Sequence, residues 1–144
     1  MKTFITVVVL SLFLICVSQA STKPKSNVET KSNTVESLIM GLESDNIGLK
    51  SSSAYMIGEL ELTEATIQLL RILRNDESED LRIAAALALY KIGSPIAIYA
   101  VKQASKFDDS KRVSKHCASF YSEYQKTKIF DEEINMDVLK TALK

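Results

Sequence analysis

The sequence has few of the residues that build metal sites and nucleophilic centres. It contains one histidine, His116, and two cysteines, Cys16 and Cys117. Zinc binding or histidine-dependent catalysis would need partners that converge on His116, and there is no second histidine to supply one. Cys117 is a poor partner because adjacent residues of a helix point about 100° apart. We therefore expect no catalytic residue, metal or cofactor, and packing roles for His116 and Cys117 at a helix interface.

Glycine and net charge are scarce as well. The four glycines stand too far apart to form a phosphate-binding loop, and they are Gly41, Gly48, Gly58 and Gly93. The formal net charge is zero, with 18 basic and 18 acidic side chains. Binding to nucleic acid or to an anionic membrane surface would require a basic surplus. The sequence therefore predicts neither as a partner.

One long apolar run is present, and it lies within the first 20 residues. Lys2 gives a positive start, residues 4–17 are almost all apolar, and Ser18-Gln19-Ala20 offers small residues where signal peptidase cleaves. The run is shorter than the roughly 20 apolar residues that span a bilayer. We predict that residues 1–20 are a signal peptide cleaved near Ala20, so that the mature protein is periplasmic or secreted and not inserted in a membrane.

A lipoprotein acylated at Cys16 is the weaker alternative, because bulky Ile15 stands where a bacterial lipoprotein signal has a small residue. Cleavage near Ala20 would leave 124 of the 144 residues, enough for one domain with a core, and a net charge of −1. Only Cys117 would remain. Stability must then come from packing, or from an intermolecular thiol pair in a Cys117-linked homodimer.

Three stretches of the sequence repeat at a spacing of 32 residues. Leu49, Leu81 and Val113 begin these stretches. The aligned triplets that follow are Ser52-Ser53-Ala54, Ala84-Ala85-Ala86 and His116-Cys117-Ala118. Self-similarity at such a period is typical of helical solenoids, in which each unit buries its apolar face against the next. The sequence therefore predicts an all-α fold, a short right-handed α-solenoid (α-α superhelix) with three helix pairs over residues 34–128.

The boundaries of these pairs follow from local signals. Polar residues 21–33 predict a flexible leader, and Asn33 with Glu36 resembles a capping box for a helix over about 34–43. The spacing predicts a second helix over about 48–60. Its inward apolar residues would be Leu49, Met56, Ile57 and Leu60.

The helix boundaries of the second and third pairs are marked by clearer local signals. Thr63 and Ser78 are predicted helix caps, and Gly93-Ser94-Pro95 combines a left-handed C-terminal cap, an N-cap and a first helical residue. After the third pair, an acidic stretch at 131–133 precedes a short amphipathic helix over about 136–143. We predict that residues 129–144 form a C-terminal cap across the open end of the last repeat.

The second unit resembles a HEAT repeat, in particular the short bacterial type seen in phycobilisome lyase-like proteins. The similarity rests on a leucine-rich first helix, an acidic turn, the Leu81-Arg82 pair, and an alanine-leucine helix that ends at Gly93. The resemblance implies a structural ladder between units, in which turn aspartates pair with basic residues. The matching positions are Asp45, Asp76 and Asp108 with Lys50 and Arg82. In the third unit, the 32-residue spacing places Ser114 where the basic residue belongs. Arg112 would supply the base instead if the register of this unit shifted by two residues.

The resemblance also implies that the second helices line a concave binding surface. The residues expected there are Tyr55, Glu59, Tyr90, Lys91, Tyr121 and Glu123. An ordinary solvated face is the competing interpretation, because exposed charges of alternating sign attract one another only weakly. The function predicted from this surface is that of an exported, non-catalytic protein-protein interaction scaffold or adaptor with an unknown protein partner. The alternatives are a self-assembling structural subunit and, third, an enzyme resembling the chromophore lyases.

Overall fold

In the computed structural model, the backbone is described over residues 27–142 and the side chains over residues 32–131. The predicted signal peptide and residues 21–26 of the predicted leader lie outside the described residues. The repeated hairpins belong to one unit, Lys31–Lys144. No strand occurs within residues 27–142. The elements are α1 (Asn27–Leu42), α2 (Ile47–Glu59), a 3₁₀ turn (Thr63–Ala65), α3 (Thr66–Asn75), α4 (Glu79–Ile92), α5 (Pro95–Phe107) and α6 (Lys111–Ala142).

The helices pack as stacked hairpins in two layers. The second helices, α2, α4 and α6, lie side by side with α4 in the middle, while α3 packs against both α4 and α5, and α5 against α6. One apolar cluster runs through the stack from Leu42 to Cys117. This arrangement confirms the predicted all-α solenoid of HEAT-like helical hairpins.

Small residues bring the second helices close together. Ala85, Ala86 and Ala88 of α4 are almost completely buried. Gly58 of α2 faces the same helix, and a Cβ added to it would lie 2.9 Å from the Cα of Ala88. Because every added carbon would separate these backbones, the close packing of α2 on α4 requires small side chains at this contact.

The helix starts repeat at the same 32-residue interval. Asn46, Ser78 and Ser110 each precede a second helix, and their side-chain oxygens accept hydrogen bonds from the amides of Leu49 (3.0 Å), Leu81 (3.4 Å) and Val113 (3.4 Å). The cap predicted at Ser78 is confirmed. So is the junction after α4, where Gly93 has φ = 65° and Pro95 is the first residue of α5.

Two predicted caps make no capping hydrogen bond. Thr63 opens the 3₁₀ turn, and α3 begins only at Thr66, whose hydroxyl donates to the Thr63 carbonyl at 2.6 Å. Ser94 occupies the N-cap position of α5, but its hydroxyl oxygen is buried without a hydrogen-bond partner. At this start the fixed φ of Pro95 stabilises the first turn without help from a side chain.

The first helix begins earlier than predicted. Helix α1 already includes Asn27, so residues 27–33 of the predicted leader are helical, and the capping box at Asn33 does not form. Asn33 lies inside the helix, where its carbonyl accepts a hydrogen bond from the Ser37 hydroxyl at 2.8 Å. The reason is local, since no proline or glycine interrupts residues 27–33.

Three of the four apolar residues predicted to point inward from α2 are exposed. Ile57 is fully buried, whereas Leu49, Met56 and Leu60 retain about half of their accessible surface, at 50%, 43% and 48%. Helix α2 has one neighbour in its layer, α4, while α4 is flanked on both sides. Among the described helices, none packs on the other side of α2 within this layer, so these residues stay exposed.

The last helix continues where a break was predicted. Helix α6 runs from Lys111 to Ala142 without interruption, so the acidic stretch at 131–133 does not separate a cap helix from the third pair. No glycine or proline occurs there to end the helix. Residues 125–131 are all exposed, which shows that packing on α6 ends near Tyr124. The side chains of the predicted cap, 136–143, lie outside the described residues.

The contact between Gly58 and Ala88 provides a test of the packing. Replacing Gly58 with valine should lower the free energy of unfolding by about 2–3 kcal/mol, because the new atoms would overlap the backbone of α4. Ser52→Val, at an exposed position of the same helix, is the matched control and should cost only a few tenths of a kcal/mol. Urea unfolding followed by circular dichroism measures both, and equal losses would contradict the close approach.

Candidate functional site

The strongest polar contact between units joins Arg82 to Asp108. The guanidinium donates to both carboxylate oxygens, at 3.2 and 3.1 Å, and its third nitrogen donates to the Asp76 carbonyl at 2.9 Å. The two side chains are only 14% and 9% exposed. A bidentate charge-assisted pair at this depth fixes the position of the third unit on the second.

Lys50 and Asp76 make the equivalent contact one unit earlier, at 3.4 Å. Both pairs are 26 residues apart, so a base of one unit reaches the turn aspartate of the next. Each aspartate also accepts a hydrogen bond from the backbone amide two residues later, Ser78 at 3.0 Å and Ser110 at 2.9 Å. The carboxylate therefore shapes its own turn while it binds the neighbouring unit.

The ends of this ladder differ from the prediction. The residue that precedes Asp76 by 32 positions is Ser44, not Asp45, and its hydroxyl shapes the turn by accepting from the Asn46 amide at 3.1 Å. Asp45 is exposed and forms no ion pair with the described residues. In the first unit the ladder position is thus occupied by a neutral side chain.

At the other end, Ser114 takes the place of the base. Its hydroxyl donates to the Asp108 carbonyl at 3.2 Å, as Arg82 does to Asp76. Arg112 does not substitute for the base. It reaches back to exposed carboxylates of α4 instead, Asp80 at 2.6 Å and Glu79 at 3.7 Å.

The two kinds of ion pair should differ in their contribution to stability. Asp108→Asn removes the charge opposite Arg82 in a mostly buried pair and should cost about 2–3 kcal/mol of unfolding free energy. Asp80→Asn makes the same change in a pair whose side chains are 56% and 74% exposed, and should cost less than about 1 kcal/mol. Chemical denaturation of the two variants gives the comparison, and equal costs would show that the ladder is no more than a surface contact.

The predicted binding surface contains one preassembled cluster. The ammonium of Lys91 contacts the carboxylate of Glu59 across the α2–α4 boundary, and it lies 5.2 Å from the centre of the Tyr55 ring. The hydrogen bond from Lys91 holds the pKa of Glu59 below its usual value, and the same bond raises the pKa of Lys91. Both groups therefore stay charged across the neutral range, and three of the six predicted residues form one cluster.

The remaining predicted residues lie apart from that contact. Tyr90 stacks on Phe120 of α6, with ring centroids 5.8 Å apart. The ring centre of Tyr121 lies 5.5 Å from the ammonium of Lys102. Glu123 pairs within its own helix with Lys126 at 3.4 Å, so it does not extend the charged row to Lys91.

An open groove of about 520 Å³ lies beside the cluster, at the ends of α2 and α4. It combines two glycines, two tyrosines and three charged side chains, with one threonine at its edge. The lining residues are Gly58, Glu59, Glu61, Tyr90, Lys91, Gly93, Tyr124 and Thr127.

Glu61 belongs to this groove and was not predicted. It has φ = 50°, the one positive φ among the described non-glycine residues. Glu61 is 32 residues before Gly93, which has φ = 65° at the end of α4. The repeat spacing that aligned the helices could have identified it, because a left-handed position normally requires glycine.

His116 and Cys117 have different environments. His116 is exposed on α6, with its ring 6.2 Å from that of Phe120, so its predicted place at a helix interface is wrong. Cys117 is fully buried, and burial raises its pKa to about 11. A thiol in this environment cannot form the predicted intermolecular bond while the fold is intact.

Cys117 should therefore resist alkylation in the native protein. At pH 8 a thiol of pKa about 11 is roughly one part in a thousand thiolate, against about a quarter for an unfolded cysteine. Iodoacetamide should label the mature chain at least ~100-fold more slowly in buffer than in denaturant, as measured by mass spectrometry. Rapid native labelling, or a reductant-sensitive dimer on a gel, would contradict this burial.

Within the described residues no group of histidine, cysteine, aspartate or glutamate side chains is arranged to hold a metal ion. Nor is any helix between residues 27 and 142 long and apolar enough to cross a membrane.

The stacked hairpins and the aspartate ladder define an α-solenoid repeat protein. A family model of HEAT repeats matches residues 35–119, more than half of the chain, and the chain belongs to the HEAT repeat family. A search of curated proteins finds no significant match. The matched model describes HEAT repeats in general. The similarity to the phycobilisome lyase-like type stays a prediction.

Proposed function

We propose that this protein is an exported, non-catalytic scaffold or adaptor that binds a protein partner on the face formed by α2, α4 and α6. The observation that carries the proposal is the groove at the ends of α2 and α4, where tyrosines and charged side chains remain open to solvent. Solenoid repeats use such continuous faces to bind other proteins. Export is proposed from residues 1–20, which would place the partner in the periplasm or outside the cell.

The cluster at Lys91 suits a binding surface because its side chains are already ordered. Lys91 is held by Glu59 and by the Tyr55 ring, so little of its rotamer freedom remains to be lost when a partner binds. Tyr90 is ordered in the same way by its stacking on Phe120. Tyrosines with a fixed orientation are favoured in protein interfaces, where they contribute both apolar area and a polar tip.

We do not propose catalysis. His116 is exposed and, within the described residues, belongs to no group of side chains that could hold a metal ion, and Cys117 is buried with a raised pKa. Export would also separate the protein from the cytoplasmic chemistry of chromophore lyases. An adaptor needs only a stable face, which the ladder and the alanine-rich helix contact supply.

Lys91→Glu tests this surface. The variant places two carboxylates opposite each other at the edge of the groove, and we expect at least tenfold weaker binding to a partner captured from the native extracytoplasmic compartment and then purified. Its melting temperature should change by only a few degrees, because the pair is exposed. Isothermal titration calorimetry measures the binding.

Lys115→Glu is the matched control, since it makes the same charge change at an exposed position of α6 away from the groove. It should bind as the unmodified protein does. If Lys91→Glu also binds equally well, the α2–α4 groove is not the binding surface.

A further inference from the structure

Glu61 adopts a backbone conformation for which the equivalent repeat position uses glycine. Helix α2 ends in a paired C-terminal motif, in which the Leu62 amide donates to the Ile57 carbonyl at 3.0 Å and the Glu61 amide donates to the Gly58 carbonyl at 3.2 Å. This motif requires a left-handed residue at position 61. A glutamate there carries a steric penalty that glycine avoids, as Gly93 does at the end of α4.

The side chain of Glu61 makes no contact that would offset this penalty. It is exposed, and it forms no hydrogen bond or ion pair with the part of the chain that the structure describes. Glu61 takes part in the helix end through its backbone amide, which glycine would supply as well. Strained residues of this kind concentrate at functional sites, where the side chain has a use outside the fold.

The charges of the groove indicate what that use is. Lys91 and Glu59 neutralise each other, which leaves the carboxylate of Glu61 as the unbalanced charge among the lining residues. Tyr90 and Tyr124 line the same groove. A free carboxylate beside aromatic rings is complementary to a cation.

The same combination of a carboxylate and an aromatic ring already binds a cation within this chain. The ammonium of Lys91 is bound between the Glu59 carboxylate and the Tyr55 ring, which lies 5.2 Å from it. Glu61 with the two groove tyrosines offers the same two kinds of group to a side chain from outside. Arginine fits best, because its guanidinium can pair with the carboxylate while its plane stacks on a ring.

We propose that Glu61 is the contact for an arginine side chain of the protein partner, bound in the groove between α2 and α4. This inference rests on the proposed function and adds to it the chemistry of the partner: an extended segment with an exposed basic residue. In this proposal the glutamate side chain, at a backbone position that favours glycine, recognises that residue.

A peptide titration tests the contact directly. The probe is the capped pentapeptide Gly-Ser-Arg-Ser-Gly, added to the isotopically labelled mature chain and followed by amide chemical shifts, with Gly-Ser-Glu-Ser-Gly as the control peptide. We expect the arginine peptide to shift amides of the groove residues, while the glutamate peptide leaves them unchanged. Glu61→Gln should weaken the arginine peptide at least fivefold. Asp109→Asn removes an exposed carboxylate elsewhere and should leave its affinity unchanged.

Glu61→Gly separates recognition from folding. It relieves the left-handed strain, so its melting temperature should equal that of the unmodified chain or exceed it by a few degrees. Its affinity for the arginine peptide should fall at least fivefold, as in Glu61→Gln. A lower melting temperature would contradict the strain on which the inference depends. Unchanged peptide affinity in Glu61→Gln, or no shifts in the groove, would overturn the contact. If partner binding still depends on Lys91 in that case, the proposed function stands and this inference alone fails.

Discussion

Close contact between α2 and α4 is the constraint on which the rest of the structure depends. A HEAT-like hairpin cannot bury its apolar side alone, and the shared core exists only because successive second helices pack closely. Gly58 and Ala88 permit this approach at one point, and Ala85 continues it within the buried cluster. Since this contact is made of small side chains, it does little to fix the position of one helix along the other. The apolar packing holds the units together without specifying their register.

The aspartate ladder supplies the missing register. Arg82 reaches Asp108 with two defined hydrogen bonds, and Lys50 reaches Asp76 with one, so each unit has a fixed offset from the next. At the ends the charged positions become serines, which satisfy their own turns or a nearby carbonyl. Within the described residues, the charged ladder contacts therefore lie at the two junctions between the three units.

The sequence predicts the features that depend on residues adjacent in the chain. It misses those that depend on how the helices pack against one another. Ser78 and Gly93 act through adjacent atoms, and both behave as predicted. Helical periodicity marks Leu49 as apolar but cannot show that its side chain stays half exposed among the described helices. An aspartate at the ladder position predicts Asp45, whereas the 32-residue spacing indicates Ser44. For the groove, the sequence identified Lys91 and Glu59 as aligned charges, but their contact with Tyr55 depends on side-chain conformation.

Stability and recognition make opposite demands at the end of α2. Most positions of this fold are occupied by the residue that suits the local backbone, including the glycine after α4. Glu61 departs from that rule at the edge of the groove, where no contact within the described residues stabilises it. A fold selected only for stability would have glycine at both helix ends. The difference between these two otherwise equivalent turns therefore separates Gly93, which suits its backbone conformation, from Glu61, to which we assign the proposed contact with a partner.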